Sequence, residues 1–428
     1  MNFLILPNQL FEEKFLNKKI EIVLWECPHF FIDYTYNKKK LMLHRATMKC
    51  YFDYLIEKGY KVKYVEYQEY IERDIEYIMY NPLNKISILN LPPKVKILES
   101  PNLLLSDQMR SDYRKKTKNF FFNAFYEWSK KQLNIIPGIK SQDKLNRSKP
   151  KEILKIKQPF KYCSNKYIEE AKNYVEKNFP NNYGNVEKLM YPVSFFETKR
   201  WLRLFLKEKF NNFGIYQDYI DKDDKFLYHS LLSALINIGL LQPKDIIKEC
   251  LRYYGKVPLN SLEGFIRQLF WREYQFYCYE YFDFKGNFFG NTKKISKDWY
   301  QGTLNIEPVD NAIKEAFDIG YLHHIKRLMV IGNYMNISGI NPKDGFRWFM
   351  EFSCDSYEWV MFQNVYEMVF CISGGKTMRR PYISSSNYIL KMSNYQKGPW
   401  CDKWNSLYKS FVKKHKKKMK KFGYFYSY

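Results

Sequence analysis

The sequence is poor in metal-binding signatures. It has only six histidines, its eight cysteines are scattered with no Cys-X-X-Cys pair, and no His-Glu-X-X-His run occurs. Structural and hydrolytic zinc sites rest on those spacings, so their absence argues against both. No Gly-X-Gly-X-X-Gly follows a β-like run, so the dinucleotide fingerprint is missing. No apolar run reaches transmembrane length, and no signal-peptide core is present. The cysteines give no disulfide framework, and a soluble protein of a reducing, cytoplasmic compartment is expected. Acidic residues are also short: 45 Asp and Glu face 70 Lys and Arg, a formal net charge of +25. That surplus suggests an acidic partner, of which nucleic acid is the commonest. Part of it lies in Lys413–Lys421, which reads as a solvated end, but the remainder stays basic.

Aromatic residues are abundant, at 19% of the chain with 38 Tyr and 34 Phe, more than packing needs; AT-rich coding accounts for much of this excess. At 428 residues the chain exceeds one average domain, so two are expected. The first third reads as α/β. Phe3–Leu6, Ile20–Trp25, Tyr60–Val65, Ile86–Leu89 and Val95–Leu98 are strand-like, and a helical pattern runs from Leu41 to Lys58. Residues 136–165 dissolve into Pro-, Lys-, Ser- and Asn-rich sequence and read as a linker between residues 1–135 and 166–428. Beyond it the helical period dominates, over Val193–Phe210, Lys225–Ile238, Pro243–Tyr253, Ser261–Tyr281, Pro308–Ile319, Tyr321–Ile337 and Pro342–Ser353. The expected architecture is a Rossmann-like parallel sheet followed by an all-α domain with a basic tail.

Chemistry concentrates in Gly320–Tyr334, where His323 and His324 are adjacent and Arg327 follows His323 by one turn. Adjacent helical side chains point about 100° apart, so the pair cannot share one metal. Taken alone, it reads as partly buried histidines held by backbone carbonyls. Ser230 and Ser233, taken alone, read as a helix cap. Gln268 and Trp271, three apart, project from one side of a helix that also carries Arg272.

Taken together, these segments resemble the photolyase/cryptochrome superfamily. They are Phe226–Pro243, Ser261–Tyr274, Gly320–Tyr334, Asp355–Asn364 and Pro381–Ile389, in this order and spacing. The resemblance is nearest to the prokaryotic (6-4) photolyase-like, deoxyribodipyrimidine photolyase-related branch. It is strong over about residues 195–410 and weaker over about 1–135, where Leu6–Leu10 and Lys38–Met48 carry it. It implies a light-driven DNA repair flavoprotein, a (6-4) photolyase in which FADH⁻ injects an electron into a pyrimidine dimer flipped out of damaged DNA. A cryptochrome-like blue-light receptor and a diverged basic nucleic-acid-binding protein stand as alternatives.

The resemblance also implies roles for particular residues. Tyr216, Ser230, Leu231, Leu232, Ser233 and Arg272 become the flavin cradle, with Arg327, Asp355 and Asn364 around the ring. Trp271 stacks on the flipped dimer, and Gln268 favours the (6-4) class. His324 transfers the proton at a pKa near neutrality, while His323 orients or packs. Trp348 and Tyr300, with Phe349, correspond to the chain that feeds electrons to the flavin, although phenylalanine is hard to oxidise. A lumazine or pterin antenna occurs in relatives, but no residue pattern here identifies one. Monomeric action on DNA is expected.

The chain departs from its relatives in three places. Pro308, Gln396 and Pro399 stand at iron–sulfur ligand positions and only Cys401 remains, so no iron–sulfur cluster is expected. Glu367 replaces a glycine and Ser373 an aspartate beside the flavin, which would place a carboxylate near the ring unless it points away. Ala234 replaces a proline.

Overall fold

The computed structural model describes residues 1–423. Five short strands form one parallel sheet: β1 (Asn2–Ile5), β2 (Ile22–Trp25), β3 (Val62–Val65), β4 (Tyr77–Tyr80) and β5 (Val95–Leu98), in the order β3-β2-β1-β4-β5. Every residue of β2 is buried, as expected of an inner parallel strand covered on both faces. The edge strands β3 and β5 each carry a lysine, Lys63 and Lys96, which discourages pairing with another chain. The helix Lys38–Glu57 crosses between β2 and β3, and the Asn37 side chain caps it by accepting from the Lys39 N–H.

The strand expected at Ile86–Leu89 is instead a single 3₁₀ turn, Ile86–Ile88, and the fourth strand is Tyr77–Tyr80. Ladder pairing decides this. Tyr77–Tyr80 has β1 on one side and β5 on the other, whereas Asn81 accepts from the Leu83 N–H in a turn that leads the chain out of the sheet.

From Phe195 onward the chain is helical. Its axis is the 23-residue helix Leu259–Tyr281, buried on nearly all sides, as a helix at the centre of a domain must be. The expected helix Lys225–Ile238 is reduced to Ser233–Asn237. Asp224 accepts from the N–H groups of Phe226 and Leu227, and Leu227 and Leu231 take positive φ of 40° and 56°, so Phe226–Leu232 is a wound turn. Two π-helical segments, Lys326–Gly332 and Phe362–Val369, interrupt the helical pattern and meet where Gly332 lies against Val369. Such segments widen a helix locally and are frequent at functional sites.

Residues 136–165 contain one short turn, Asp143–Arg147, yet they are fastened to the helical part. Asn146 bonds to the Asn260 carbonyl, the Tyr216 hydroxyl to both Glu152 O and Leu154 N, and Gln158 to Asp224. The sheet and the helices are joined through Lys40, which donates to the Ser356 carbonyl at 2.5 Å, and through Asn37, which donates to the Phe317 carbonyl.

Candidate functional site

A cavity of about 260 Å³ opens in the helical part, just below the roughly 300–1,000 Å³ usual for small-molecule sites. One wall is the Leu259–Tyr281 helix, which contributes Gln268, Trp271 and Arg272. The turn Ser230–Ser233 forms a second, and His323, His324 and Arg327 a third. Asp355 and Asn364 complete it from the next segment.

Its floor is a fixed polar chain. Arg327 makes a two-pronged pair with Asp355, at 2.8 and 3.2 Å. Ser233 donates to the same carboxylate at 2.6 Å, and Ser353 bonds to its other oxygen. Burial pushes the Asp355 carboxyl up, but Arg327 and the two serines outweigh it and hold the group below the usual carboxylate range. Asn237 joins this unit to Arg272: it donates to the Asp355 carbonyl and accepts from Arg272 Nε at 3.1 Å. Arg272 Nη1 donates to Asn102 O at 2.7 Å, but Nη2 is buried without a partner. An orphaned guanidinium donor on a cavity wall is costly unless an acceptor arrives. Burial lowers its pKa only to about 10, so the cation persists.

The two histidines differ, although His323 precedes the helix that begins at His324. His323 is enclosed and stacks on His229 with ring centroids 4.6 Å apart. Both of its nitrogens lack partners, and burial with the nearby cations keeps it well below neutrality. The His324 ring is open to the cavity. The walls around it and the Arg327 cation nevertheless push it down to about 4, so the near-neutral value expected from sequence is replaced by an imidazole uncharged at pH 7. Trp271 is half-buried and its Nε1 approaches Asn364 Oδ1 at 3.4 Å.

Several expected residues sit elsewhere. Tyr216 is fully buried outside the cavity wall, its hydroxyl spent on residues 152 and 154. Ser233 lines the cavity, but its hydroxyl is committed to Asp355, which leaves Ser230 as the freer of the two serines. Trp348 lies one ring behind the wall, 5.2 Å from the lining Phe349, and Tyr300 lies farther out. Glu367 is buried pointing away from the cavity, where it accepts from Ser373 N and Oγ and from Thr377 Oγ1. The Glu367 carboxylate is thus held against position 373 instead of beside the cavity.

Sequence reading missed Asn237, Asn102 and His229, whose roles depend on long-range approach. It also missed Asp218, a lining carboxyl that burial pushes up to about 6. Among the described residues, no group of three or more His, Cys, Asp or Glu side chains could hold a metal ion. No helix there is long and apolar enough to cross a membrane.

Residues 3–88 and 74–191 match the family described as deoxyribodipyrimidine photo-lyase-related protein. A (6-4) photolyase of Agrobacterium fabrum is 36% identical over 287 residues, 63% of this chain. The match spans 56% of that protein, little more than half of its length. A bacterial class III photolyase from Agrobacterium tumefaciens superposes over 86% of this chain and 79% of its own, with a TM-score of 0.55 at 12% identity. The cryptochrome of Synechocystis superposes over 97% and 89%, with a TM-score of 0.57 at 14% identity. The family match falls on the part where the sequence resemblance is weaker, and the solved structures superpose over both parts, so the chain has the photolyase/cryptochrome fold and is similar to the deoxyribodipyrimidine photolyase-related family over residues 3–191.

Proposed function

We propose that this chain is a DNA photolyase of the (6-4) type that binds FAD in the cavity described above. The observation that carries this reading is the convergence of His324, Gln268 and Trp271 on one cavity whose floor holds an unpartnered guanidinium donor. The residues present fit the cofactor: Arg272 Nη2 and Ser230 would meet its phosphates, and Arg327, Asp355 and Asn364 would flank its ring. Bound flavin supplies light absorption and single-electron chemistry. The protein's part is to hold and to exclude. Trp271 offers an aromatic face and Gln268 an amide to an extruded base, as enzymes acting on bases require. His324 moves a proton at an imidazole nitrogen, and an anionic DNA segment beside it would raise its affinity for that proton. The partner is damaged duplex DNA, bound by a cytoplasmic monomer.

The test is a purified protein whose flavin is released by denaturation and whose repair of defined lesions is followed under blue light. About one flavin per chain and light-dependent loss of (6-4) lesions are expected. A colourless protein that cannot be reconstituted refutes the cofactor assignment, while flavin without repair assigns the chain to light sensing. DNA affinity should fall steeply between low and physiological salt, because phosphate contacts release counterions; an affinity indifferent to salt contradicts a basic groove.

The iron–sulfur cluster of relatives does not fit. Pro308 is buried in the first turn of the helix Glu307–Ile319, Pro399 opens the helix Pro399–Lys414, and Cys401 is the one thiol left at those positions. Metal analysis should find no iron, and about four atoms per chain, the content of a cubane cluster, would overturn this.

A further inference from the structure

The Tyr300 phenol donates a hydrogen bond to Glu351 Oε2 at 2.7 Å, and its ring stacks on Tyr183 with centroids 4.4 Å apart. Glu351 lies three residues beyond Trp348 on the helix Pro342–Phe352. That helix thus carries both an indole leaning on the cavity wall at Phe349 and a carboxylate facing Tyr300. Trp348 is linked to Tyr300 twice. Phe317 lies against both rings, 5.7 Å from Trp348 and 5.6 Å from Tyr300. In addition, Trp348 Nε1 donates to the Trp299 carbonyl at 2.6 Å, and that peptide leads directly into Tyr300. Trp348 is fully buried, whereas Tyr300 and Tyr183 are half-buried and nearer the surface.

Burial holds the Tyr300 phenol far above its usual value, so no phenolate exists at neutral pH. A phenol that loses an electron while keeping its proton becomes a strongly acidic cation, so oxidation here requires a place for the proton. Burial pushes the Glu351 carboxyl up as well, against hydrogen bonds from Tyr300 and Thr35 N and the charge of Arg347. A carboxylate with raised basicity, already bonded to the phenol, provides that place.

We infer that Glu351 is the proton acceptor that lets Tyr300 act as the terminal electron donor on the Trp348 route. This rests on the flavin reading above, in which the one-electron oxidant is photoexcited flavin. Trp348, having lost one electron, regains it from Tyr300 as the phenolic proton passes to Glu351 Oε2. The products are neutral Trp348, a neutral tyrosyl radical and a protonated Glu351, so charge and atoms balance. The separated charge persists because the proton must return before the electron can.

The experiment is time-resolved electron paramagnetic resonance of the illuminated holoprotein, in H₂O and D₂O. The wild type should show a neutral tyrosyl radical that forms more slowly in D₂O, and Tyr300→Phe should lack it. Glu351→Gln, checked for folding by circular dichroism, should slow its formation by roughly 100-fold, the size typical of losing one general base. A Glu351→Gln rate equal to wild type, a wild-type rate indifferent to D₂O, or a radical that survives Tyr300→Phe overturns the inference. The isotope comparison needs no variant, so it decides even if Glu351→Gln misfolds. A flavin-free protein would overturn the proposed function alone. A soluble ruthenium photosensitiser with a quencher would then serve as oxidant, and the wild-type minus Tyr300→Phe spectrum isolates this tyrosine from the others.

Discussion

Arg327→Met should be among the most damaging single changes in the helical part, costing about 3–5 kcal/mol of stability. The Arg327 and Asp355 side chains are only 12% and 9% exposed, and two hydrogen bonds join them. Removing the cation leaves a carboxylate in a water-poor site, and the loss of the pair is smaller than the cost of that stranded charge. Arg327→Met combined with Asp355→Asn should therefore recover much of the loss, although neither residue of the original pair remains. Thermal and denaturant midpoints of the three variants measure this. A single Arg327→Met change costing less than about 1 kcal/mol, the scale of an exposed ion pair, would show that the site is wetter than its burial indicates. The pH dependence follows from the same residues. The Asp355 carboxyl is held below 3.8, so the pair's contribution is fully present above that value and is withdrawn as pH falls through the lower folded value.

This pair also shows what was legible in the sequence. Arg327 and Asp355 stand on stretches whose residue types are poor choices for packing alone, so each attracts notice as a candidate. Their closure on each other brings the π-helical segment Lys326–Gly332 against the turn that follows the helix Pro342–Phe352, an approach no residue pattern announced. Parallel strands β1, β2 and β3 were legible because each is a short β-branched or aromatic run. The fourth was not, because Tyr77–Tyr80 follows charged sequence and becomes a strand only by pairing on both edges. Ser233 illustrates a different limit. A serine before a leucine-rich run signals a helix start, and a helix does start there, but its hydroxyl is claimed by Asp355, 122 residues away. Read from the sequence alone, Glu367 would place a carboxylate near the ring unless it points away. In three dimensions Glu367 bonds to Ser373, so its carboxylate is engaged away from the cavity.

His324→Ala should reduce light-driven repair of a (6-4) lesion by more than roughly 100-fold, the loss typical of one general acid–base group. Flavin content and lesion affinity should stay near wild type. The ring opens onto the cavity and has no hydrogen bond that the fold depends on, so its removal leaves no buried group stranded. The free site keeps this imidazole neutral, at about 4, because of the surrounding walls and Arg327. It can donate a proton only after anionic DNA in the cavity has raised its pKa. Repair by the wild type should accordingly decline as pH rises and the protonated fraction falls, and the residual repair of His324→Ala should lose that slope. His323→Ala offers the contrast: it removes a stacking partner of His229 in an enclosed wall, so it should lower stability and flavin retention before it alters the pH profile. If the wild type repairs cyclobutane dimers and His324→Ala repairs them equally well, no proton is needed from this ring and the (6-4) assignment fails. The Arg327–Asp355 floor and the flavin it is proposed to hold would stand regardless, since neither depends on which lesion enters the cavity.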